Sequence, residues 1–198
     1  QTCALPILAT QNQRQRVKDL LERLYIRGMG IVDLYDEVLV PVVQDGERAL
    51  VSGELSLGQE RLLKHNLDEA VSLLFPQLIC RRQSGKTGLC AAPDNLSRMQ
   101  VNAISRILET EGWDCLNLGG NIPFDVMAEM VELEPVNLVC LACSDPTNLN
   151  QNGFINLAEA ASSYRIPIIL VGDGFVDLTV REKFLHDEYF SDYRSFRS

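Results

Sequence analysis

The stretch LCAAPDNLSRMQVNAI, residues 89 to 104, decides the fold that this sequence predicts. A short apolar run, Leu89 to Ala92, ends at Pro93, and an acidic residue, Asp94, follows. Beyond this loop, apolar side chains recur at helical spacing, at Leu96, Met99, Ala103, Ile104, Ile107 and Leu108. We therefore expect a buried strand, a tight loop and an amphipathic helix.

The alternation of strand and helix continues to the end of the chain. Strands are predicted at about 88–92, 114–118, 136–142, 167–171 and 188–190, and helices near 95–111, 123–133, 152–164 and 178–186. Strict alternation predicts an α/β fold, a five-stranded parallel sheet of flavodoxin type with helices on both faces. Its ligand crevice is expected outside the carboxyl ends of the strands, at loops 92–98 and 143–150.

The preceding part of the chain, residues 11–78, reads as helical. Ser56 and Gln59 have the spacing of a capping box at the start of one helix. Pro41 either kinks a helix or stands in its first turn. Helices joined by short loops predict an antiparallel helical bundle, followed by a basic linker, 79–87, and the α/β domain, 88–198.

The first seven residues, QTCALPI, are what the DNA end CAGACGTGTGCTCTTCCGATCT encodes, which matches a common sequencing adapter. We interpret residues 1–7 as a non-native leader and exclude them from fold reasoning. The expectation that follows is that an upstream domain is missing from this chain.

Composition and charge exclude several classes of function. The net charge of −9 comes from mixed acids and bases, a surface that discourages direct nucleic-acid binding by this segment. Apolar runs are too short to predict a membrane span. Six cysteines without a disulfide-like pattern favour a reducing, cytoplasmic setting.

Two short motifs are set aside. SGKTG, residues 84–88, lacks the upstream glycine of a phosphate-binding loop, because Cys80 stands there, and it precedes a strand instead of following one. Cys140 and Cys143 form a C-x-x-C without a second pair or a nearby histidine, which favours packing in a buried strand over zinc or redox chemistry.

A helical bundle followed by a flavodoxin-like domain resembles the cobalamin-binding module of methionine synthase, of corrinoid methyl carriers and of light-sensing, cobalamin-dependent transcription regulators. The stretches that carry the resemblance are DLYDEVLVPVV, SGELSLGQERLL, EGWDCLNLGGNIPFDVM and PVNLVCLACSDPT, and it extends over nearly all of residues 12–198. It implies a cobalamin site whose lower ligand to cobalt is a histidine, in the motif D-x-H-x-x-G after the first strand.

This chain departs from the motif at the residue that matters most for cobalt. The matching stretch is Asp94-Asn95-Leu96-Ser97-Arg98-Met99, so that leucine replaces the histidine and has no lone pair to offer a metal. The family's S-x-L falls on Ala142-Cys143-Ser144, and its Gly-Gly falls near Gly172 and Gly174. The resemblance implies a pocket for the cofactor's nucleotide tail, for which we name Ala91, Ala92, Ser144, Asp145, Thr147, Gly172 and Gly174. Two simpler readings stay open: the small residues let helices pack closely on the sheet, and Asp94 and Ser97 only cap a helix.

In the bundle, the light-sensing members carry a tryptophan and a Glu-His pair above the corrin. The matching positions here are Leu50, Glu60 and Arg61, so only the glutamate is retained. His65 lies one turn beyond Arg61 and is a candidate metal ligand, with a solvated surface histidine as the alternative. His186 stands in an acidic stretch and is interpreted as solvated.

The resulting hypothesis is a sensory or regulatory module that binds cobalamin, or haem as an alternative tetrapyrrole, without the usual lower histidine. Its partner is expected to be another protein or the missing upstream domain. Two alternatives stay open: a corrinoid subunit that carries methyl groups, and a degenerate domain that serves as a protein-interaction scaffold. No catalytic constellation of side chains is evident in the sequence, so an enzyme is not the first expectation.

Overall fold

A computed structural model of the chain describes residues 5–11, 13–78, 81–94 and 97–197. The chain divides into two compact units, one up to Ile79 and one from Cys80. The first unit is helical, and the second is built on a parallel sheet. No helix within the described ranges is both long and apolar enough to cross a membrane.

The helical unit is organised around its longest helix. Its elements are α1 (Leu5–Thr10), α2 (Arg14–Ile26), α3 (Ile31–Leu34), a π-helical turn (Tyr35–Leu39), α4 (Val40–Ser52) and α5 (Leu57–Leu74). Helix α5 packs against α1, α2 and α4 and buries one apolar stripe, which contains Leu63, Leu67, Ala70, Val71 and Leu74.

Local sequence chemistry sets two boundaries in this unit. The predicted capping box at α5 is confirmed, because the Gln59 N–H donates to Ser56 Oγ and the Ser56 N–H donates to Gln59 Oε1. Pro41 stands in the first turn of α4, directly after the π-helical turn. Proline is tolerated there because the first N–H groups of a helix have no partner within the helix.

The second unit has the predicted five-stranded parallel sheet. Its strands are β1 (Thr87–Ala91), β2 (Asp114–Gly119), β3 (Leu138–Ala142), β4 (Ile168–Val171) and β5 (Glu188–Phe190), in the order β2-β1-β3-β4-β5. Helices α6 (Arg98–Thr110), α7 (Phe124–Leu133), α8 (Gln151–Tyr164), α9 (Leu178–Arg181) and α10 (Tyr193–Arg197) connect or follow the strands. The flavodoxin-like α/β fold is therefore confirmed.

The last predicted helix, 178–186, was too long. Helix α9 ends at Arg181, and Phe184 then turns into the core beside Phe154 and Phe175, with ring centroids 4.9 and 5.8 Å away. Burying this ring in an aromatic cluster stabilises the fold more than another turn of exposed helix would. The third strand also begins later than predicted, at Leu138.

The basic stretch before β1 is exposed but attached to the α/β unit. The N–H of Arg81 donates to Thr110 O over 2.8 Å, and that of Ser84 donates to Gly112 O over 2.7 Å. Gly112 has a φ of +89°, and a Cβ there would meet the carbonyl of Arg82, so glycine is required. The SGKTG stretch therefore leads directly into β1 and does not open a helix. Of the predicted linker, Ile79 and Cys80 lie outside the described residues.

Candidate functional site

Three loops meet at the carboxyl edge of the sheet. They follow the neighbouring strands β1, β3 and β4, at 92–97, 143–147 and 172–177. The chain leaves β1 for β2 on one side of the sheet and reaches β3 on the other side, so this edge is the topological switch point at which α/β sheets bind ligands.

A buried carboxylate links the first two of these loops. Asp94 Oδ1 accepts the Ser97 N–H over 2.8 Å, and Oδ2 accepts the Ser97 hydroxyl over 2.7 Å. The same Oδ2 accepts the N–H of Ser144 over 3.1 Å, and the hydroxyls of Ser97 and Ser144 are 3.0 Å apart. Asp94 is 6% exposed and Ser97 is fully buried, so the two charge-assisted bonds between them are shielded from water. We call Asp94, Ser97 and Ser144 the carboxylate hub.

The backbone around Asp94 is tied to the loop after β2 as well. Asp94 O accepts the N–H of Asn121 over 3.0 Å, and Ala92 O accepts the N–H of Ile122 over the same distance. Gly120 has no room for a side chain, since a Cβ there would lie 2.9 Å from Asp94 O. The loop that carries the candidate residues is thus held from both sides.

The loop after β4 packs closely on the end of β3. The N–H of Gly174 donates to Cys143 O over 2.9 Å, and a Cβ on Gly174 would lie 2.7 Å from Cys143 Sγ. Gly172 has a φ of +105°, and a Cβ there would lie 2.8 Å from the same carbonyl. Both glycines are therefore needed for contact within the chain, which matches the packing reading of the small residues.

The Cys143 thiol is embedded in this contact. Burial raises its pKa to about 12, and the nearby Asp94 carboxylate adds to the effect. The thiol is thus protonated at neutral pH and is a poor nucleophile there.

Gln100, in the first turns of α6, was not predicted as a site residue. Its Oε1 is buried and has no hydrogen-bond partner among the described residues. A Cβ on Gly172 would lie 3.0 Å from this oxygen, so the carboxamide packs against the loop after β4. An unpaired buried acceptor is rare in folded proteins and marks this position as one to explain. Helical periodicity could not identify it, because a polar residue near a helix start is normally solvated.

The rim of the edge is more exposed. Asp145 Oδ1 accepts the N–H and the hydroxyl of Thr147, over 2.9 and 2.6 Å, and these bonds lower the pKa of Asp145. After β4, Val176 and Leu178 leave more than half of their surfaces in solvent. The rim therefore combines a carboxylate, a hydroxyl and apolar side chains. Ala142, by contrast, is fully buried within the sheet.

The edge residues predicted from the sequence are partly brought together. Asp94, Ser97 and Ser144 are in direct contact, but the capping interpretation is not met, because Ser97, the N-cap residue of α6, makes no capping hydrogen bond with its side chain and the N–H that Asp94 accepts lies before the helix. Asn95 and Leu96 lie outside the described residues.

The retained glutamate of the bundle is committed to an ion pair. Glu60 is 3% exposed, and Lys64 Nζ lies 2.5 Å from its Oε1 and 2.7 Å from Glu47 Oε1. Arg61 is a more distant neighbour, with its Nε 3.7 Å from Glu60 Oε2. Leu50 is half-buried on α4.

His186 does not lie at the carboxyl edge of the sheet, and His65 belongs to the helical unit. The His65 side chain is 60% exposed on α5, with Nε2 3.6 Å from Glu69 Oε1. His186 Nδ1 is 2.7 Å from Phe184 O, and the ring lines a cavity of about 410 Å³ at the opposite edge of the sheet. Across the part of the chain that the structure describes, no group of three or more His, Cys, Asp or Glu side chains is placed to hold a metal ion.

Comparison with known proteins identifies the fold but no sequence family. No protein-family model matches this chain, and no curated protein sequence matches it significantly. The monomethylamine corrinoid protein of Methanosarcina barkeri superposes with a TM-score of 0.77 at 13% identity, over 98% of this chain and 93% of that one. The chain thus has the helical-cap and flavodoxin-like fold of a corrinoid protein, as the resemblance implied.

Two further solved structures were matched with lower TM-scores. A cobalamin-binding protein from Desulfitobacterium hafniense DCB-2 gives 0.47 at 15% identity, over 100% of this chain and 95% of that one. The methanol:cobalamin methyltransferase complex MtaBC from Methanosarcina barkeri gives 0.43 at 14% identity, over 98% of this chain and 81% of that one.

Proposed function

We propose that this chain is a cobalamin-binding regulatory module that holds its ligand at the carboxyl edge of the sheet and supplies no lower histidine to the metal. Two observations together support the proposal: the fold of the chain and the hydrogen bonds at the carboxyl edge of its sheet. The fold is that of a corrinoid protein, and Asp94, the acid that the motif retains, accepts the N–H of Ser144, the last residue of the stretch on which the family's S-x-L falls, at the switch point of the sheet.

The polar and apolar groups of the carboxyl edge are suited to contact the periphery of a corrinoid macrocycle and are poorly suited to coordinate its metal. The rim offers the Thr147 hydroxyl, the Asp145 carboxylate and exposed apolar surface at Val176 to a macrocycle that carries amide side chains. None of these groups is a good ligand for cobalt, which favours imidazole nitrogen.

In this proposal the carboxylate hub positions the binding surface and does not touch the metal. Asp94 fixes the loops after β1 and β3 relative to each other, so the rim residues keep their arrangement before a ligand arrives. A surface organised in advance loses less conformational entropy on binding. When bound, cobalamin supplies a cobalt centre with an exchangeable upper ligand, whose state the module would report to a protein partner.

Two rival functions make different demands on the same edge. A methyl carrier would have to exchange methyl groups with an acceptor. A scaffold would bind no tetrapyrrole, and it is favoured by one observation, namely that the Asp94 carboxylate is already engaged by three donors of its own chain. Haem is the alternative ligand, and the same experiment includes it.

The test is retention of colour by the purified full chain. Samples are mixed with hydroxocobalamin or with haem, desalted, and recorded between the ultraviolet and the red. We expect corrin bands at about one ligand per chain and no retained haem. A chain that leaves the column colourless in both samples would overturn the proposal in favour of the scaffold.

Two matched variants locate the binding surface. Thr147→Arg adds a bulky charge to the exposed carboxyl rim, and Ser162→Arg adds the same group to the exposed end of α8 at the opposite edge. We expect Thr147→Arg to lose the corrin bands and Ser162→Arg to keep them. Transfer of the methyl group from bound methylcobalamin to a thiol would favour the carrier function over regulation.

A further inference from the structure

The carboxyl edge restricts which form of a corrinoid it can accept. A cobalamin can be held with the base of its own nucleotide on cobalt, or with that base detached, the tail extended and a protein side chain on the metal. The second form needs a ligand at the edge and an opening for the tail. Both requirements can be compared with the contacts of the described residues.

The first requirement fails on the chemistry of the side chains. The Asp94 carboxylate accepts three hydrogen bonds, and the hydroxyls of Ser97 and Ser144 are bonded to the hub. The Cys143 thiol is fully buried, and its raised pKa keeps it protonated. No residue of the three edge loops is a histidine, and the carboxylate hub and Cys143 offer a metal neither a thiolate nor an unengaged carboxylate.

The second requirement fails on packing. The bond between Ser97 and Ser144 joins the loops after β1 and β3, and the bond from Gly174 N–H to Cys143 O joins β3 to the loop after β4. The Gln100 carboxamide packs on Gly172 between them. An extended tail that entered between these strands would have to separate all three contacts, two of which are hydrogen bonds.

From these two observations we infer that the chain selects corrinoids whose own nucleotide base coordinates cobalt, and binds them with that base attached. The inference rests on the proposed function and specifies its ligand class: complete cobamides with a coordinating base, in preference to cobinamide, which lacks the nucleotide. The cofactor's own base supplies the lower ligand, and the edge contacts a folded, compact molecule.

Affinity and electron paramagnetic resonance together test this. Wild-type chain is titrated with hydroxocobalamin and with diaquocobinamide, followed by the visible spectrum. We expect cobalamin to bind at least about tenfold more tightly, a difference of about 1.4 kcal/mol. Spectra of the Co(II) form are then recorded with natural-abundance and ¹⁵N-labelled protein. We expect the three-line nitrogen splitting of the cofactor's own ¹⁴N base in both samples.

The outcomes separate the inference from the function beneath it. Equal affinity for cobinamide, loss of the nitrogen splitting, or a two-line pattern that appears only with ¹⁵N-labelled protein would overturn the inference while corrinoid binding stands. A chain that retains neither corrinoid overturns the proposed function and the inference with it. His65→Ala and His186→Ala serve as matched variants, and both are expected to keep the wild-type splitting.

Discussion

The hydroxyl of Ser97 donates to Oδ2 of Asp94 over 2.7 Å, and the same oxygen accepts the N–H of Ser144, which lies after a different strand. One carboxylate therefore binds the residue that precedes α6 and joins it to the end of β3. In the motif of the corrinoid family an acid at this place accompanies a ligating histidine. Here it is used to hold two loops together, and the hydroxyl of Ser97 takes part of its hydrogen-bonding capacity.

Replacing the carboxylate should show how much the hub stabilises the fold. Asp94→Asn keeps one acceptor for the Ser97 N–H, but an amide NH₂ replaces Oδ2. The Ser97 hydroxyl and the Ser144 N–H, which both donate to Oδ2, then lose their acceptor. We expect the free energy of unfolding to fall by about 3 kcal/mol, since buried donors lose a charged acceptor. Urea unfolding can be followed by Trp113, the single tryptophan, which lies in the α/β unit.

The matched control for this variant is Asp177→Asn. Asp177 also accepts an N–H and a hydroxyl from a residue two positions on, Thr179, over 2.8 and 2.7 Å, but it is exposed. Asp177→Asn should lower the free energy of unfolding by about 1 kcal/mol or less. Equal effects of the two substitutions would show that burial and the link to Ser144 add nothing to the hub.

The sequence predicted the sheet well because each buried parallel strand is a short apolar run between turn residues. The order of elements and the cap at Ser56 follow from local chemistry, so they could be read without the structure. The contact between Ser97 and Ser144 could not, because 47 residues separate them and only the pairing of β1 with β3 brings them together. The early end of α9 was missed for the same reason, since it depends on where Phe184 packs.

The ion pair of the bundle gives a second stability prediction. Lys64→Met leaves Glu60, whose side chain is 4% exposed, without its closest cation. We expect a loss of about 3 kcal/mol, followed by circular dichroism at the helical band, because one partner of a buried pair is left uncompensated. Lys64→Met combined with Glu60→Leu should recover most of this loss.

Arg48→Met is the control for Lys64→Met, because Arg48 pairs with Asp45 on the exposed side of α4. This substitution should lower the free energy of unfolding by about 0.5 kcal/mol or less.

The pH dependence of stability is a further check on the pair of Lys64 with Glu60. Burial lowers the pKa of Lys64, but its bonds to Glu47 and Glu60 outweigh burial and raise the pKa above the usual lysine value. The stabilisation is therefore present at neutral pH and is lost as the pH rises through the raised pKa. A wild-type bundle that weakens near pH 8 would contradict this assignment.

The buried thiol of Cys143 predicts a pattern of chemical labelling. Burial and the Asp94 carboxylate raise its pKa to about 12, so almost no thiolate exists at pH 8 in the folded chain. We expect iodoacetamide to leave Cys143 unmodified at pH 8 and to modify it in urea, as measured by peptide mass spectrometry. Because the unfolded thiol ionises near pH 9, this residue also makes the fold less stable as the pH rises from about 9 to 12. Rapid native labelling at pH 8 would show that the thiol is exposed to solvent.

Gln100 offers a test of whether a buried acceptor without a partner lowers the stability of the fold. Gln100→Leu removes a buried acceptor that has no partner among the described residues, so we expect the ligand-free chain to gain about 1 kcal/mol. Gln151→Leu, on the exposed start of α8, is the control and should change stability by no more than about 0.5 kcal/mol. A less stable Gln100→Leu variant would mean that the carboxamide is satisfied within the folded chain, and its burial would then have a structural explanation.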